Sequence, residues 1–236
     1  MSASVTGIGW VTPNTMGWSR EFKVIESSDG RLPKLTSRML FGKTSVHFGR
    51  LDQYSKLGFA AITFALRDAG LEKWSEKRPI GIIASSVYGC LTTDIEYYAT
   101  VHSQERAFPS PNLFAYTLPN VYLGEVATMF GLTGQTFVLN EPVLSGISAI
   151  RMAVMSIETG DKNVMIAGIC DQGRSAEFVC ELENSPGALF VVLRKQDTTD
   201  VSSYGSITIG PNGTIFFNNS EIKELQTIKT MCVREH

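Results

Sequence analysis

The sequence predicts an α/β fold whose sheet is at least partly parallel. Short apolar runs of strand length alternate along the chain with segments of helical periodicity. The run Pro79–Ser86 (PIGIIASS) is followed by a Ser/Gly-rich turn and then by a predicted helix over about Thr93–His102. Strand, loop and helix in this order are typical of parallel sheets with crossover helices. With 43% hydrophobic and 19% charged residues, the composition also argues against disorder.

The first predicted strand is Ser4–Val11, in which Gly7 and Gly9 indicate close backbone packing. The Ser-, Gly- and Lys/Arg-rich segment Ser27–Gly49 has little periodicity and is predicted to be a long loop. A helix over about Asp52–Ala69 follows, because its apolar residues recur at helical spacing and Gly70 supplies a stop.

The remaining chain continues the alternation and contains one central helix, Ser145–Thr159. Apolar residues take up most of its circumference, which predicts a buried helix rather than a surface one. The other predicted elements are an ordered loop Phe108–Asn120, a helix Val121–Phe130, strands Thr136–Leu139, Asn163–Gly168, Leu189–Leu193, Ser206–Ile209 and Thr214–Phe217, an Asn212-Gly213 turn, and a last helix over about Ser220–Met231 capped by Ser220.

Composition excludes several classes of function. The net charge of −2 gives no basic footprint for nucleic acid or an anionic membrane surface. No run of about 18 apolar residues predicts a membrane span. The histidines His47, His102 and His236 share no ligand spacing and no CxxC pair occurs, so no metal and no cofactor are expected. Without a signal-peptide pattern, scattered cysteines predict a reduced, cytoplasmic protein (Cys90, Cys170, Cys180 and Cys232).

Seven blocks between about residues 5 and 195 resemble, in order, the β-ketoacyl-acyl carrier protein synthases, the condensing enzymes of the thiolase fold. Any single block would be weak evidence, but seven in family order form a specific pattern. The blocks are Val5–Pro13, Leu51–Leu71, Ile80–Asp94, Phe108–Gly134, Thr136–Ile150, Gly160–Asp171 and Ser185–Lys195.

The resemblance implies a thiolase-like half-unit, with a mixed five-stranded sheet flanked by helices on both faces. Residues 1–195 would form the ketoacyl-synthase N-terminal-like domain. Residues 196–236 would add a strand-turn-strand and a C-terminal helix packing on the same domain, and part of this segment would cover the central helix. In the family, the strand that matches Thr136, Phe137, Val138 and Leu139 pairs with its twin across a two-fold axis. The resemblance therefore implies a homodimer, or a heterodimer with a full-length ketosynthase.

The family places its cysteine nucleophile at a strand-to-helix elbow, which here is the segment Asn140, Glu141, Pro142, Val143, Leu144, Ser145 and Gly146. The residue that aligns with the cysteine is Val143, which has no nucleophilic atom. A helix N-terminus lowers a thiol pKa, and its N–H groups hold an oxyanion, so the chemistry needs a cysteine there. The family's two histidines and supporting lysine lie in a second half that this chain does not match.

Three hypotheses follow. The first is a non-catalytic accessory or scaffold subunit of fatty-acid, polyketide or aryl-polyene-type synthesis. The second is an acyltransferase with a relocated nucleophile, either Ser145 or Cys90, although the alternative for Ser145 is a hydroxyl that satisfies helix N–H groups. The third is a binding module for an acyl group or an acyl carrier protein. Glu141 is a helix-cap carboxylate, fills the vacant acyl pocket, or acts as an acid or base, and Asn140 is a turn residue.

Overall fold

The computed structural model describes residues 1–25, 31–102, 108–173, 187–196 and 202–233. Cys180 and His236 lie outside these ranges. The strands are β1 Ser2–Val11, β2 Thr15–Trp18, β3 Glu21–Val24, β4 Gly81–Ser86, β5 Thr136–Asn140, β6 Val164–Asp171, β7 Gly187–Lys195, β8 Gly205–Ile209, β9 Ile215–Phe217 and β10 Ser220–Ile222. The helices are α1 Ser37–Phe41, α2 Val46–Arg50, α3 Gln53–Asp68, α4 Leu91–His102, α5 Pro111–Phe114, α6 Val121–Phe130, α7 Ile147–Glu158 and α8 Leu225–Cys232.

One mixed sheet forms the centre of the fold, in the order β10-β9-β8-β1-β7-β6-β4-β5, with β2 and β3 attached to β1. Strand β4 pairs in parallel with β5 and β6, and the other pairings are antiparallel. The mixed α/β class is confirmed. The predicted size of five strands is wrong, since ten strands of the described residues belong to the sheet. The additional strands extend from β1, which pairs with β2 at one end and with β8 at the other.

Helices cover both faces of this sheet, as predicted. Helices α3 and α6 lie on one face, where Tyr54, Leu57 and Tyr122 pack with Phe190 and Val192 of β7. Helices α7 and α8 lie on the other face, where their apolar residues pack with Leu189, Val191 and Leu193. Alternate residues of β7 therefore serve opposite cores, as expected for a strand that is buried on both sides.

The two glycines of β1 allow α3 to approach the strand closely. A Cβ added at Gly9 would lie 2.2 Å from the backbone nitrogen of Ala65, and one at Gly7 would lie 2.4 Å from its carbonyl oxygen. These separations are too short for any side chain. The glycine pattern in the sequence therefore indicated the correct physical feature, a helix seated directly on a strand.

Several local predictions are wrong. The segment predicted as loop Ser27–Gly49 contains the short helices α1 and α2, and the hairpin β2–β3 was not predicted. Helix α5 lies in the predicted loop Phe108–Asn120. Residues Ser220–Ile222 form strand β10, so Ser220 is no helix cap, and α8 begins only at Leu225.

The central helix α7 is buried on one face only, which corrects the prediction of an almost fully buried helix. Ile150, Ala153 and Ile157 face the sheet, whereas Met152 and Met155 are 40% and 44% exposed. On the buried side, the C-terminal segment covers part of α7, and Leu225 and Ile228 of α8 belong to the same apolar cluster. The apolar circumference of α7 therefore overstated its burial, because no second layer of described residues covers the methionines.

Candidate functional site: the strand-to-helix elbow

The site lies at the carboxyl-terminal ends of β4, β5 and β6. Because these strands run in the same direction, Ser86, Asn140 and Asp171 lie at the same end of the sheet. The loop after β4 leads to α4, and the segment after β5 is the elbow that leads to α7. Ligand sites of open α/β sheets occur at such carboxyl ends of strands.

Asp171 is completely buried at this end of the sheet, and its carboxylate accepts four hydrogen bonds. Its Oδ2 accepts hydrogen bonds from Ser86 Oγ at 3.0 Å, from the Val87 nitrogen at 2.8 Å and from the Tyr88 nitrogen at 2.9 Å. Its Oδ1 accepts one from the Gly173 nitrogen at 2.9 Å. A buried carboxylate that accepts several backbone N–H groups fixes the loop around it. The sequence reasoning did not select Asp171, and an acidic residue that directly ends a buried apolar strand was the available signal.

The elbow begins where Asn140 and Glu141 continue the pairing of β5 with β4. The Glu141 nitrogen donates to the Ser86 carbonyl at 2.9 Å. With its amide oriented to match its neighbours, Asn140 donates to the carbonyls of Val87 at 3.0 Å and Ser86 at 3.2 Å. Asn140 therefore stabilises the loop after β4, in addition to its predicted place in the turn.

The chain then turns sharply into α7. The Ser145 nitrogen donates to the Val143 carbonyl at 2.8 Å, and Gly146 is the N-cap with a φ of 72°. A Cβ at Gly146 would lie 2.7 Å from the Ile169 side chain, so both the left-handed backbone and the close approach require glycine. The Ser145 hydroxyl accepts a hydrogen bond from the Ile147 nitrogen at 3.3 Å. Helix α7 therefore begins two residues later than predicted.

Val143 projects from this turn and is 56% exposed. It borders a groove of about 590 Å³ between the elbow and the C-terminal segment. The Leu225 nitrogen donates to the Ser145 carbonyl at 2.8 Å, which joins the two walls at one point. The groove is lined by Val143, Leu144, Ser145, Glu221, Lys223, Glu224 and Thr227.

Cys90, the second residue considered as a nucleophile, lies in a smaller cavity of about 190 Å³ together with Asp94, Val138 and Asn140. Its Sγ is 3.7 Å from Asp94 Oδ2, to which the thiol donates. Burial and the Asp94 carboxylate raise the pKa of the Cys90 thiol to about 12. The thiol is therefore protonated at neutral pH, which opposes nucleophilic attack.

Cys170 is fully buried in β6, and burial raises its pKa well above the usual value, consistent with a small core side chain. Across the described ranges, no group of three or more His, Cys, Asp or Glu side chains is placed to hold a metal ion. Among the same residues, no helix combines the length and apolarity needed to cross a membrane.

Comparison with known proteins identifies the family. The family "Beta-ketoacyl synthase, N-terminal domain" matches residues 26–183, about two thirds of the chain. The chain belongs to the β-ketoacyl synthase family.

Two sequence relatives illustrate the similarity. A Streptomyces virginiae protein named polyketide β-ketoacyl synthase 1 is 29% identical over 130 residues, covering 52% of this chain and 30% of that protein. The granaticin polyketide β-ketoacyl synthase 1 of Streptomyces violaceoruber is 28% identical over 129 residues, covering 52% and 31%. The chain thus spans under a third of the length of these relatives.

Solved structures share the fold. The ishigamide ketosynthase/chain length factor matches with a TM-score of 0.68 and 15% identity, covering 88% of this chain and 66% of that chain. A chain from the complex of the ketosynthase ApeO with its chain length factor ApeC, from Xenorhabdus doucetiae, matches with a TM-score of 0.61 and 15% identity. That match covers 98% of this chain and 90% of that chain. At these identities the likeness establishes the thiolase-like ketosynthase fold.

Proposed function

We propose that this protein is a non-catalytic subunit of the chain-length-factor type, which pairs with an active ketosynthase in polyketide or related fatty-acyl synthesis. The observation that carries the proposal is the exposed Val143 side chain on the turn into α7. A condensing enzyme needs a thiolate at this position, where a helix N-terminus stabilises negative charge. A valine preserves the shape of the turn but forms no thioester.

The groove beside Val143 supports the same conclusion. Among the described residues, its lining contains no cysteine and no histidine. Ser145 is the one hydroxyl on the elbow side, and its oxygen already accepts a hydrogen bond from the helix. A serine nucleophile needs a base within about 3.2 Å, and no hydrogen bond joins Ser145 to another groove side chain within the described part of the chain.

The unpaired outer side of β5 supports the proposal of a partner chain. Strand β5 ends the strand order and pairs with β4 alone among the described strands. An unpaired edge strand is a template for another strand. The solved neighbours include a ketosynthase in complex with its chain length factor and a ketosynthase in complex with its acyl carrier protein. We therefore propose a cytoplasmic complex with a full-length ketosynthase, in which an acyl carrier protein is the second partner.

Co-expression with the ketosynthases of the source genome, and with ApeO as a reference, tests this proposal. A stable 1:1 complex is expected by size-exclusion chromatography with light scattering. Intact mass after incubation with acyl- and malonyl-loaded carrier proteins should show no adduct on this chain. If no ketosynthase associates, the subunit assignment is wrong.

An acyl adduct would instead support the relocated-nucleophile alternative. Ser145 is favoured over Cys90 for that role because it lines the open groove together with Glu221 and Glu224. Its matched control is Ser145→Ala, in which an adduct on Ser145 would disappear. An adduct that persists in this variant would be mapped by peptide mass.

A further inference from the structure

Glu141, which directly follows β5, has a solvent-shielded carboxylate oxygen that lacks a hydrogen-bond donor among the described residues. The Glu141 nitrogen bonds to the Ser86 carbonyl, so this residue acts as one more residue of the edge strand. Its side chain is half-buried. The carboxylate oxygen Oε2 is shielded from solvent and has no hydrogen-bond partner among the described residues. An unpaired, desolvated carboxylate oxygen is costly unless a donor reaches it.

The elements that flank β5 leave its outer edge unpaired among the described residues. Met129 on α6 and Met152 on α7 are each 40% exposed. Helix α6 contacts β5 on one side. On the other side, Gln135 Nε2 at the start of the strand donates to Ser156 Oγ of α7 at 3.1 Å. Along β5 the surface therefore has an open strand edge, exposed methionines on the flanking helices and, after the last residue of the strand, a carboxylate oxygen without a hydrogen-bond donor among the described residues.

A second copy of this chain does not supply the missing cation. A two-fold axis through paired edge strands makes them antiparallel, so Glu141 would face a residue of the partner's own β5 region. For every register centred within β5, that residue lies between Gly131 and Leu139, a stretch without lysine or arginine. Arg78, which lies beside Leu132 of that stretch, already donates through its Nη2 to the carbonyls of Leu71 and Phe130.

We infer that Glu141 selects the partner of this chain. It disfavours self-pairing along β5 and favours a ketosynthase that places an arginine or lysine opposite Glu141. The inference rests on the proposed function for the identity of the partner, and on charge complementarity for the choice of residue. A charge placed so that the wrong partner cannot satisfy it is a common source of specificity at interfaces.

The first test uses the chain alone, so its result does not depend on any ketosynthase. Sedimentation of wild type, Glu141→Gln and Glu21→Gln measures self-association. Glu21 is an exposed residue on β3, which joins the sheet through β2 and β1 and does not pair with β4 or β5, and it serves as the matched control. Glu141→Gln should self-associate at least about tenfold more tightly, because a neutral amide no longer opposes pairing. A wild type that is already a tight homodimer, or no change in Glu141→Gln, overturns the inference.

The second test uses the ketosynthase found in the co-expression experiment. Glu141→Gln should weaken the heterodimer at least about tenfold and should flatten the dependence of its Kd on salt. Glu21→Gln should leave both unchanged. A heterodimer with the same Kd and the same salt dependence in Glu141→Gln would overturn the inference while leaving the proposed function intact. If no ketosynthase binds, the proposed function fails, and the self-association result still decides the role of Glu141.

Discussion

At the scale of single residues, the three described cysteines and position 143 of the elbow lie in surroundings that would affect a thiol in opposite ways. Burial raises the pKa of Cys90 and of Cys232 to about 12, and raises that of Cys170 well above its usual value. These thiols lie in surroundings that suppress thiolate formation. The elbow is different, because position 143 is exposed and lies three residues before the N-cap of α7.

The variant Val143→Cys tests this contrast. The engineered thiol should react with iodoacetamide at least about tenfold faster than Cys90, because exposure and the helix N-terminus favour the thiolate. Peptide mass spectrometry resolves the individual cysteines. The same variant should gain no condensing activity, since no described residue that lines the groove is a histidine. Equal rates at the two positions would contradict the assigned environments.

Asp171 makes a second residue-scale prediction, about stability. Replacing Asp171 by alanine leaves the Ser86 hydroxyl and three backbone N–H groups without their acceptor. We expect a loss of about 3–5 kcal/mol in the free energy of unfolding, measured by urea denaturation. Asp161→Ala is the control, because Asp161 is exposed and accepts from the Thr159 hydroxyl. That variant should stay within about 1 kcal/mol of wild type.

At the scale of elements, the two edge strands of the sheet differ in length and in their capacity to pair with another chain. Strand β10 ends one side as a three-residue strand, whereas β5 ends the other side with five residues between α6 and exposed parts of α7. Short edge strands resist unwanted pairing. The longer β5 edge is therefore the one expected to receive a partner strand.

Lysine substitutions at the two edges test which one binds. Thr136→Lys should weaken the ketosynthase complex by at least about tenfold, because a lysine on an edge strand opposes pairing. Ser220→Lys, on β10, is the matched control and should leave the complex unchanged. Light scattering measures the assembly, and circular dichroism checks that both variants remain folded. Loss of the complex in Ser220→Lys alone would place the interface at the opposite edge.

The sequence predicted the elements whose own pattern was strong. Helices α3 and α6 and strand β4 were located to within about two residues, because apolar spacing and the glycine stops agree there. Strand β10 and the start of α8 were misread as one helix, since Ile222, Leu225 and Ile228 have helical spacing although only the last two lie in the helix. The hairpin β2–β3 is short and largely outside the cores, so it left no periodic signal.

The candidate site was predicted in part. The resemblance located the turn at Val143, which the structure places on the elbow leading into α7. The sequence could not show that the segment Glu221–Thr227 forms the opposite wall of the groove, because the matched blocks end at about residue 195. Nor could it show that Glu141 Oε2 lacks a donor, since that depends on packing among elements distant in sequence.

At the scale of the whole molecule, Asp68 joins the C-terminal segment to the N-terminal part of the chain. Its carboxylate accepts from the Ile8 nitrogen at 2.9 Å and from the Tyr204 hydroxyl at 2.9 Å, and Arg20 Nε lies 3.7 Å away. Burial raises the pKa of Asp68, although these neighbours act in the opposite direction. The folded protein therefore holds this proton more strongly than the unfolded chain.

This shift predicts how stability depends on pH. Above the unfolded pKa of about 3.9, and until the raised folded pKa is passed, the native state binds more protons. The contribution of Asp68 to stability therefore falls as the pH rises through this window. Asp68→Asn should lose this pH-dependent contribution. The free energy of unfolding of the variant, relative to that of wild type, should therefore rise between pH 4 and pH 7. Urea titrations measure it, with Asp161→Asn as control; a pH-independent difference would refute the assignment.

The central position of β1 has a consequence for synthesis of the chain on the ribosome. This first strand pairs with β7 and β8, which are encoded more than 170 residues later. At translation rates of about 5–20 residues per second, β1 waits on the order of 10 s for β7 and β8, although β2 is available at once. During that time its apolar residues and open edges are available to chaperones or to neighbouring nascent chains. The yield of folded protein should therefore depend on translation speed and on chaperone supply, even though the finished sheet is well packed.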